Sequence, residues 1–256
     1  MTRPSQFGPL PSRNVDGRTP LKAYRNGDHD AARSGKTVAV ILGGLGVNRD
    51  LTRRAIEELP AQVTLSFAAH AEGLADWIVE ARRDGHEVLI ELPMESASFD
   101  PSRPGSAQTL RADASTDDNL RKLHRLLARA QGYAGVINYN GDQYLTRGDT
   151  AAALVSELHE SGLAFFTDGS FDTPSLAPLA QSVGLPFKTA FGLIDPSPDR
   201  TVIEGKLDNL SEMAKNGDGP IGVGFAYPET LDTLKGWIAT LSSDGLVLVP
   251  ATATLP

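Results

Sequence analysis

The chain has 256 residues, 40% of them hydrophobic and 22% charged, no cysteine, and a formal charge of −8. The missing cysteines exclude disulfides, thiolate metal sites and cysteine nucleophiles. The acidic balance argues against a nucleic-acid partner, whose phosphates reward the opposite sign.

The charge is unevenly placed. Residues 1–36 carry seven Lys/Arg against three acids, leaving 17 basic and 29 acidic residues in the remainder, so a +4 segment precedes a −12 body. That first segment holds Pro4, Pro9, Pro11 and Pro20 and shows no apolar periodicity. It reads as an extended basic, Pro-rich arm laid over the body through Leu21 and Tyr24. The start of the chain, MTRPSQFGPLPSR, has no apolar signal-like core. No stretch reaches the roughly 18–20 apolar residues needed to span a bilayer. The chain is therefore either cytosolic or lacks a leader that would precede it.

From residue 37 to 256 the texture is that of one repeating unit. TVAVILGG (37–44) is an apolar, β-branched run, after which Asn48 is placed to cap an amphipathic helix over 49–59. QVTLSFA (62–68) precedes a helix over 73–85, and EVLIELPM (87–94) precedes a loop and a helix over 116–131. GVINY (135–139) precedes a helix over 150–162, AFFTD (164–168) one over 175–184, and PFKTAF (186–191) one around 201–216. IGVGFAY (221–227) precedes a helix over 228–245, and LVLVPATA (246–253) is read as an eighth strand. The runs are continuously apolar, as strands covered on both faces are in a parallel sheet. Strict β/α alternation leaves a barrel or a doubly wound sheet. GGLGVN has the wrong spacing for a dinucleotide fingerprint and no phosphate-binding P-loop occurs, which favours a distorted parallel (β/α) barrel.

Function in such folds collects at the C-terminal ends of the strands. The residues there are Gly43 and Gly44, His70, Glu91, Glu95, Asn138, Tyr139, Asn140, Asp142, Asp168, Asp195 and Tyr227. A hydrolytic metal site needs about three converging His, Asp or Glu ligands. His124 and His159 lie within helices, His86 at the entry of the third run and His29 in the arm, so among the histidines only His70 is at the rim. The carboxylates allow either acid/base work or the capping of loops and helix starts. No nucleophile elbow of the form G-x-S-x-G is present, and Ser170 has no evident histidine base.

The runs VAVILGGLGVN, GHEVLIELPMES, GVINYNGDQYLT, LAFFTDGSFDTPS and IGVGFAYPETLDTLKGW, in this order, resemble the divergent polysaccharide deacetylase family over residues 37–253. That family is similar to the NodB-type carbohydrate esterases, and the resemblance implies a distorted (β/α)₇ barrel, a bound metal such as zinc and envelope carbohydrate chemistry. It also implies a departure. Where family members carry the Asp pair of I-D-D-L-G, this chain has Gly43 and Gly44. Where N-H-M-G-S supplies a histidine it has Tyr139, and where G-H-P supplies another it has Phe225.

The expectation is a catalytically degenerate barrel without the family metal, binding a glycan or an envelope protein through Glu91, Glu95, Asn138, Tyr139, Asn140, Asp142, Asp168, Asp195 and Tyr227. A periplasmic or envelope location follows from the resemblance alone. The alternatives are a hydrolase with a relocated carboxylate site (Glu91, Glu95, Asp142, Asp168, with His70) and a protein-interaction module.

Overall fold

The computed structural model describes residues 1–26, 36–103 and 105–256. Its main sheet is wholly parallel, with helices packed outside it. In chain order the elements of the body are β3 (Thr37–Leu45), α2 (Arg49–Glu58), β4 (Thr64–Ala68), α3 (Leu74–Arg83), β5 (Val88–Met94), α4 (Thr116–Leu127), β6 (Gly135–Asn140) and α5 (Gly148–Ser161). There follow β7 (Ala164–Thr167), α6 (Leu176–Val183), β8 (Phe187–Thr189), β9 (Gly192–Leu193), α7 (Arg200–Lys215), β10 (Ile221–Phe225), α8 (Pro228–Thr240) and β11 (Val247–Leu248). The strand order is β8-β7-β6-β5-β4-β3-β10-β9, with β11 against the start of β3.

The sheet curls until its edges nearly meet. The chain passes from one edge to the other in two residues: the Ala190 N–H donates to the Thr167 carbonyl on β7, and the Phe191 N–H to the Ile221 carbonyl on β10. The run read as one strand over 186–191 is therefore broken into β8 and β9 by this crossing. The result is the distorted barrel that the alternating pattern predicts.

Period-two alternation sorts each strand into two faces. Outward residues such as Val40, Leu65, Ile90 and Phe165 join the large core under the helices. Inward residues form a second, smaller core from Ala39, Ile41, Leu89, Ile137, Phe166, Ile221 and Val223, closed below by Ala251 and Ala253. The next inward layer towards the strand C-termini is Gly43, Glu91, Tyr139, Asp168 and Phe225. The sequence turns polar there because the apolar filling has ended.

The other end is pinned by the GHEV segment. His86 is fully buried and its ring nitrogens face the carbonyls of Val63 (2.9 Å) and Ile56 (3.0 Å). Glu87, equally buried, accepts from the Asn26 N–H (3.2 Å), the Thr64 hydroxyl (3.1 Å) and the Thr252 N–H (3.1 Å) and hydroxyl. Burial raises its carboxyl pKa despite those donors. The eighth strand expected over 246–253 is only Val247–Leu248. Pro250 turns the chain into a 3₁₀ segment, Ala251–Thr254, that carries the Thr252 donors to Glu87 and plugs the barrel.

The N-terminal segment differs from an extended arm over residues 1–26. Thr2–Arg3 (β1) pairs antiparallel with Leu10–Pro11 (β2), and Pro20–Tyr24 forms a short helix (α1) capped by Thr19. Leu10 is buried in the main core. Arg3 and His124 both engage the Glu157 carboxylate. Burial pushes that carboxyl pKa up, but the two partners outweigh it and hold it below its usual value. Tyr24 meets Arg82, as the sequence suggests. Gly162, at φ +67°, leaves room for this wrap: a Cβ there would lie 2.9 Å from Thr19 Cβ. The part of the arm at 27–35 lies outside the described residues.

Candidate functional site

A groove of about 590 Å³ opens at the C-terminal ends of β3, β4, β5, β6 and β10. Glu91 forms its floor, and Tyr139, Phe225 and Tyr227 stand along one side. The loop after β5 also lines it, through Ser96, Phe99, Arg103 and Gln108. A second cavity, of about 670 Å³, opens at the plugged end beside Lys188. There Lys188 Nζ donates to the Gly219 (2.9 Å) and Thr254 (3.1 Å) carbonyls. No strand C-terminus reaches that cavity, so the chemistry of the fold points to the first.

Glu91 is inward-facing on β5 and only 6% exposed. The Gly44 N–H donates to its Oε1 at 2.5 Å. No other hydrogen bond reaches the carboxyl among the described residues. Burial, only partly offset by the Gly44 N–H, raises its pKa to about 7. Gly43 explains why the carboxyl can sit there: a Cβ on Gly43 would fall 2.5 Å from Glu91 Oε1 and 3.4 Å from Phe225 Cε1. Gly44 has φ +72°, where a side chain is strained.

Tyr139 and Phe225 pack edge to face, ring centroids 6.2 Å apart. The Tyr139 hydroxyl pKa is raised, chiefly by burial and then by Glu91 and Tyr227. Both tyrosines remain 44% exposed, presenting ring surface to the groove. Asn140 holds a left-handed conformation, φ 58°. Its carbonyl is gripped by Asn138 Nδ2 at 2.8 Å, and Asn138 Oδ1 takes the Asp168 N–H at 2.8 Å.

The residues expected at the rim therefore divide. Glu91, Tyr139, Asn140 and Tyr227 line the groove, as does His70. Glu95, Asn138, Asp142, Asp168 and Asp195 do not, and each has a local structural partner. Glu95 accepts the Ala112 N–H at 2.6 Å, and its backbone bonds to Leu110, Gln143 and Tyr144. Asp142 takes the Ala97 N–H at 3.1 Å. Asp168 takes the N–H (2.9 Å) and hydroxyl (2.7 Å) of Ser170. Asp195 takes the Phe225 N–H (2.7 Å) and the Thr230 hydroxyl (2.8 Å), and burial raises its carboxyl pKa. The relocated site of Glu91, Glu95, Asp142 and Asp168 thus does not assemble, because three of its four acids anchor loops. Arg103, Gln108, Phe99 and Phe225 belong to the groove but were not singled out as ligand-binding residues. The signal for the first three was the roughly 20-residue link after β5, a length that functional loops have.

The model of the divergent polysaccharide deacetylase family matches residues 40–255. The chain belongs to that family. The uncharacterized protein ATU2773 of Agrobacterium tumefaciens C58 is 32% identical and superposes with a TM-score of 0.90, over 96% of this chain and 99% of that one. The uncharacterized protein YibQ of Escherichia coli K12 is 21% identical over 218 residues, 85% of this chain and 67% of YibQ. The catalytic domain of a peptidoglycan N-acetylglucosamine deacetylase from Eubacterium rectale ATCC 33656 shares the fold, with a TM-score of 0.52 at 12% identity over 87% of this chain and 91% of that domain.

The fold places Gly43, Tyr139 and Phe225, three positions matching the family's ligand motifs, in the single inward layer around Glu91. That donor set does not suit a divalent metal. Glycine offers no side chain, Phe225 no lone pair and a protonated Tyr139 a poor one. Among the described residues no three His, Asp or Glu side chains converge on a point that a metal ion would occupy.

Proposed function

We propose that this chain is a catalytically degenerate family member that holds a glycan in the groove above Glu91 without cleaving it. It then serves as an accessory in envelope carbohydrate metabolism. The observation that carries this reading is the composition of the inward layer. Deacetylation requires a polarised carbonyl and an activated water, which the family metal supplies, and an acid for the departing amine. The layer offers Gly43, Tyr139 and Phe225 at the matching positions, and none of these side chains suits the family metal.

What the layer does offer suits binding. Sugar rings present an apolar face that stacks on aromatic side chains and an edge of hydroxyls that needs polar partners. Tyr139, Phe225 and Tyr227 supply the former, and Glu91, Asn140, Ser96 and Gln108 the latter. No helix among the described residues is long and apolar enough to cross a membrane. An envelope location therefore rests on the family and is part of the proposal.

The test is calorimetric titration of the full chain with N-acetylated chito-oligosaccharides and soluble peptidoglycan fragments, alongside zinc analysis and an acetate assay. Saturable binding that Tyr139→Ala weakens by at least tenfold, without acetate release, is expected. Stoichiometric zinc with acetate release would overturn degeneracy, and failure of every glycan to bind would overturn the binding role.

A further inference from the structure

Glu91 presents an unusual inventory of hydrogen bonds. One oxygen is held by the Gly44 N–H at 2.5 Å. The other, Oε2, has no partner among the described residues, although the residue is 94% buried and lines the groove. That oxygen opens onto the groove, where a ligand can meet it, while the rest of the side chain is withdrawn from solvent, which disfavours an ionised carboxyl. The lining of the groove is mainly apolar beside it: Ala68, Ala69, Pro93, Met94 and the ring of Phe225.

We propose that Glu91 stands in the groove as a neutral carboxylic acid, its Oε2–H donating to an oxygen acceptor on an uncharged saccharide, so that Glu91 selects acceptor-bearing neutral ligands over amino sugars. This rests on the glycan-binding reading above and specifies which chemistry the floor recognises. The Gly44 N–H fixes the orientation, because a backbone donor must face an acceptor oxygen. The proton of a neutral carboxyl is thereby directed to the second oxygen, where the ligand sits. The absence of a side chain on Gly43 is what admits the carboxyl to this position. The carboxyl pKa of about 7 agrees with this form.

The other titratable or charged groups of the groove are His70 after β4, Asp100 and Arg103 on the loop after β5, Tyr139 on β6 and Tyr227 before α8. Arg103 and Asp100 lie 3.8 Å from each other, and no salt bridge joins Arg103 to Glu91 among the described residues. The Tyr139 hydroxyl pKa is raised above its ordinary value, chiefly by burial, so Tyr139 does not drive a transition near 7.

Glu91→Gln is the discriminating substitution. Its amide oxygen accepts from Gly44 and its N–H₂ donates to the groove, reproducing the acid at every pH. For the wild type, loss of the Glu91 proton with a pKa of about 7 weakens binding of an N-acetylated chito-oligosaccharide by about 90-fold between pH 6 and pH 9. The expected result is that decline in wild type, its absence in Glu91→Gln, and loss at every pH in Glu91→Ala. De-N-acetylated oligosaccharide is expected to bind more weakly at pH 6. Binding that is flat in wild type, that Glu91→Gln abolishes, or that favours the amino sugar would overturn the inference while leaving glycan binding intact. If no glycan binds at all, infrared difference spectra of wild type against Glu91→Gln still decide the protonation. A carboxylic acid band that titrates near neutrality supports the inference, and a carboxylate across pH 5–9 refutes it.

Discussion

Glu91→Gln also tests the electrostatics of the site without any ligand. The wild-type carboxyl has an ordinary value of 4.5 in the unfolded chain and about 7 in the fold, with burial as the leading cause. For a raised pKa the sign is fixed. The contribution to stability is complete below 4.5 and is lost as pH rises through about 7, because the folded state then holds a buried carboxylate. From the two values, wild type loses about 2.5 kcal/mol between pH 5 and pH 8 that the variant does not. At this chain length that amounts to roughly 5–10 °C in melting temperature. Glu87 and Asp195 are also raised by burial, but they titrate equally in both proteins and cancel in the difference. The assay is urea unfolding of both proteins at half-unit steps from pH 4.5 to 8.5. Superimposable pH slopes would refute the reasoning, showing that Glu91 is solvated or paired in the folded state.

Two further predictions concern the elements that carry the groove. His86→Ala removes the buried ring that faces the carbonyls of Val63 and Ile56 and opens a cavity, for an expected loss of about 3 kcal/mol in urea unfolding; a change within 0.5 kcal/mol would refute the pinning role. Glu95→Ala frees the Ala112 N–H and is expected to cost about 1–2 kcal/mol and to speed amide exchange of residues 96–109 selectively; uniform or unchanged exchange would show that the loop is held by other contacts.

The fold was legible because parallel strands buried on both faces write themselves as continuous apolar runs, and β3, β5 and β6 fall within a residue or so of where those runs lie. The failures have local causes. LVLVPATA has strand composition throughout, but Pro250 ends pairing and the following residues serve as a plug whose polar contacts, Thr252 to Glu87, come from 165 positions away. The N-terminal segment looked unstructured because its partners, Glu157 and Gly162 among them, are equally remote in sequence. At the site, Glu91 was legible as a charge inside an apolar strand. Glu95, Asp142, Asp168 and Asp195 stand at equally suggestive positions. An acid just past a strand end is also the best acceptor for loose loop N–H groups, and composition does not separate the two uses. Parity alone does not separate them, since Glu91 and Asp168 both face inward; their partners do, Ser170 holding the Asp168 carboxyl while only the Gly44 N–H meets that of Glu91.

The glycines at 43 and 44 are more than vacated ligand positions. Glu91 Oε1 lies 2.5 Å from where any side chain on Gly43 would begin, so an acid at 43 and the present position of Glu91 exclude each other. The Gly44 N–H that holds Glu91 belongs to a residue at φ +72°, a conformation glycine takes without strain and aspartate less readily. The two glycines and the position of Glu91 are thus structurally coupled. Tyr139 and Phe225 meet ring to ring in the same inward layer. A carboxylate at position 43 would meet that of Glu91, and two carboxyls in that space would share a proton rather than both ionise.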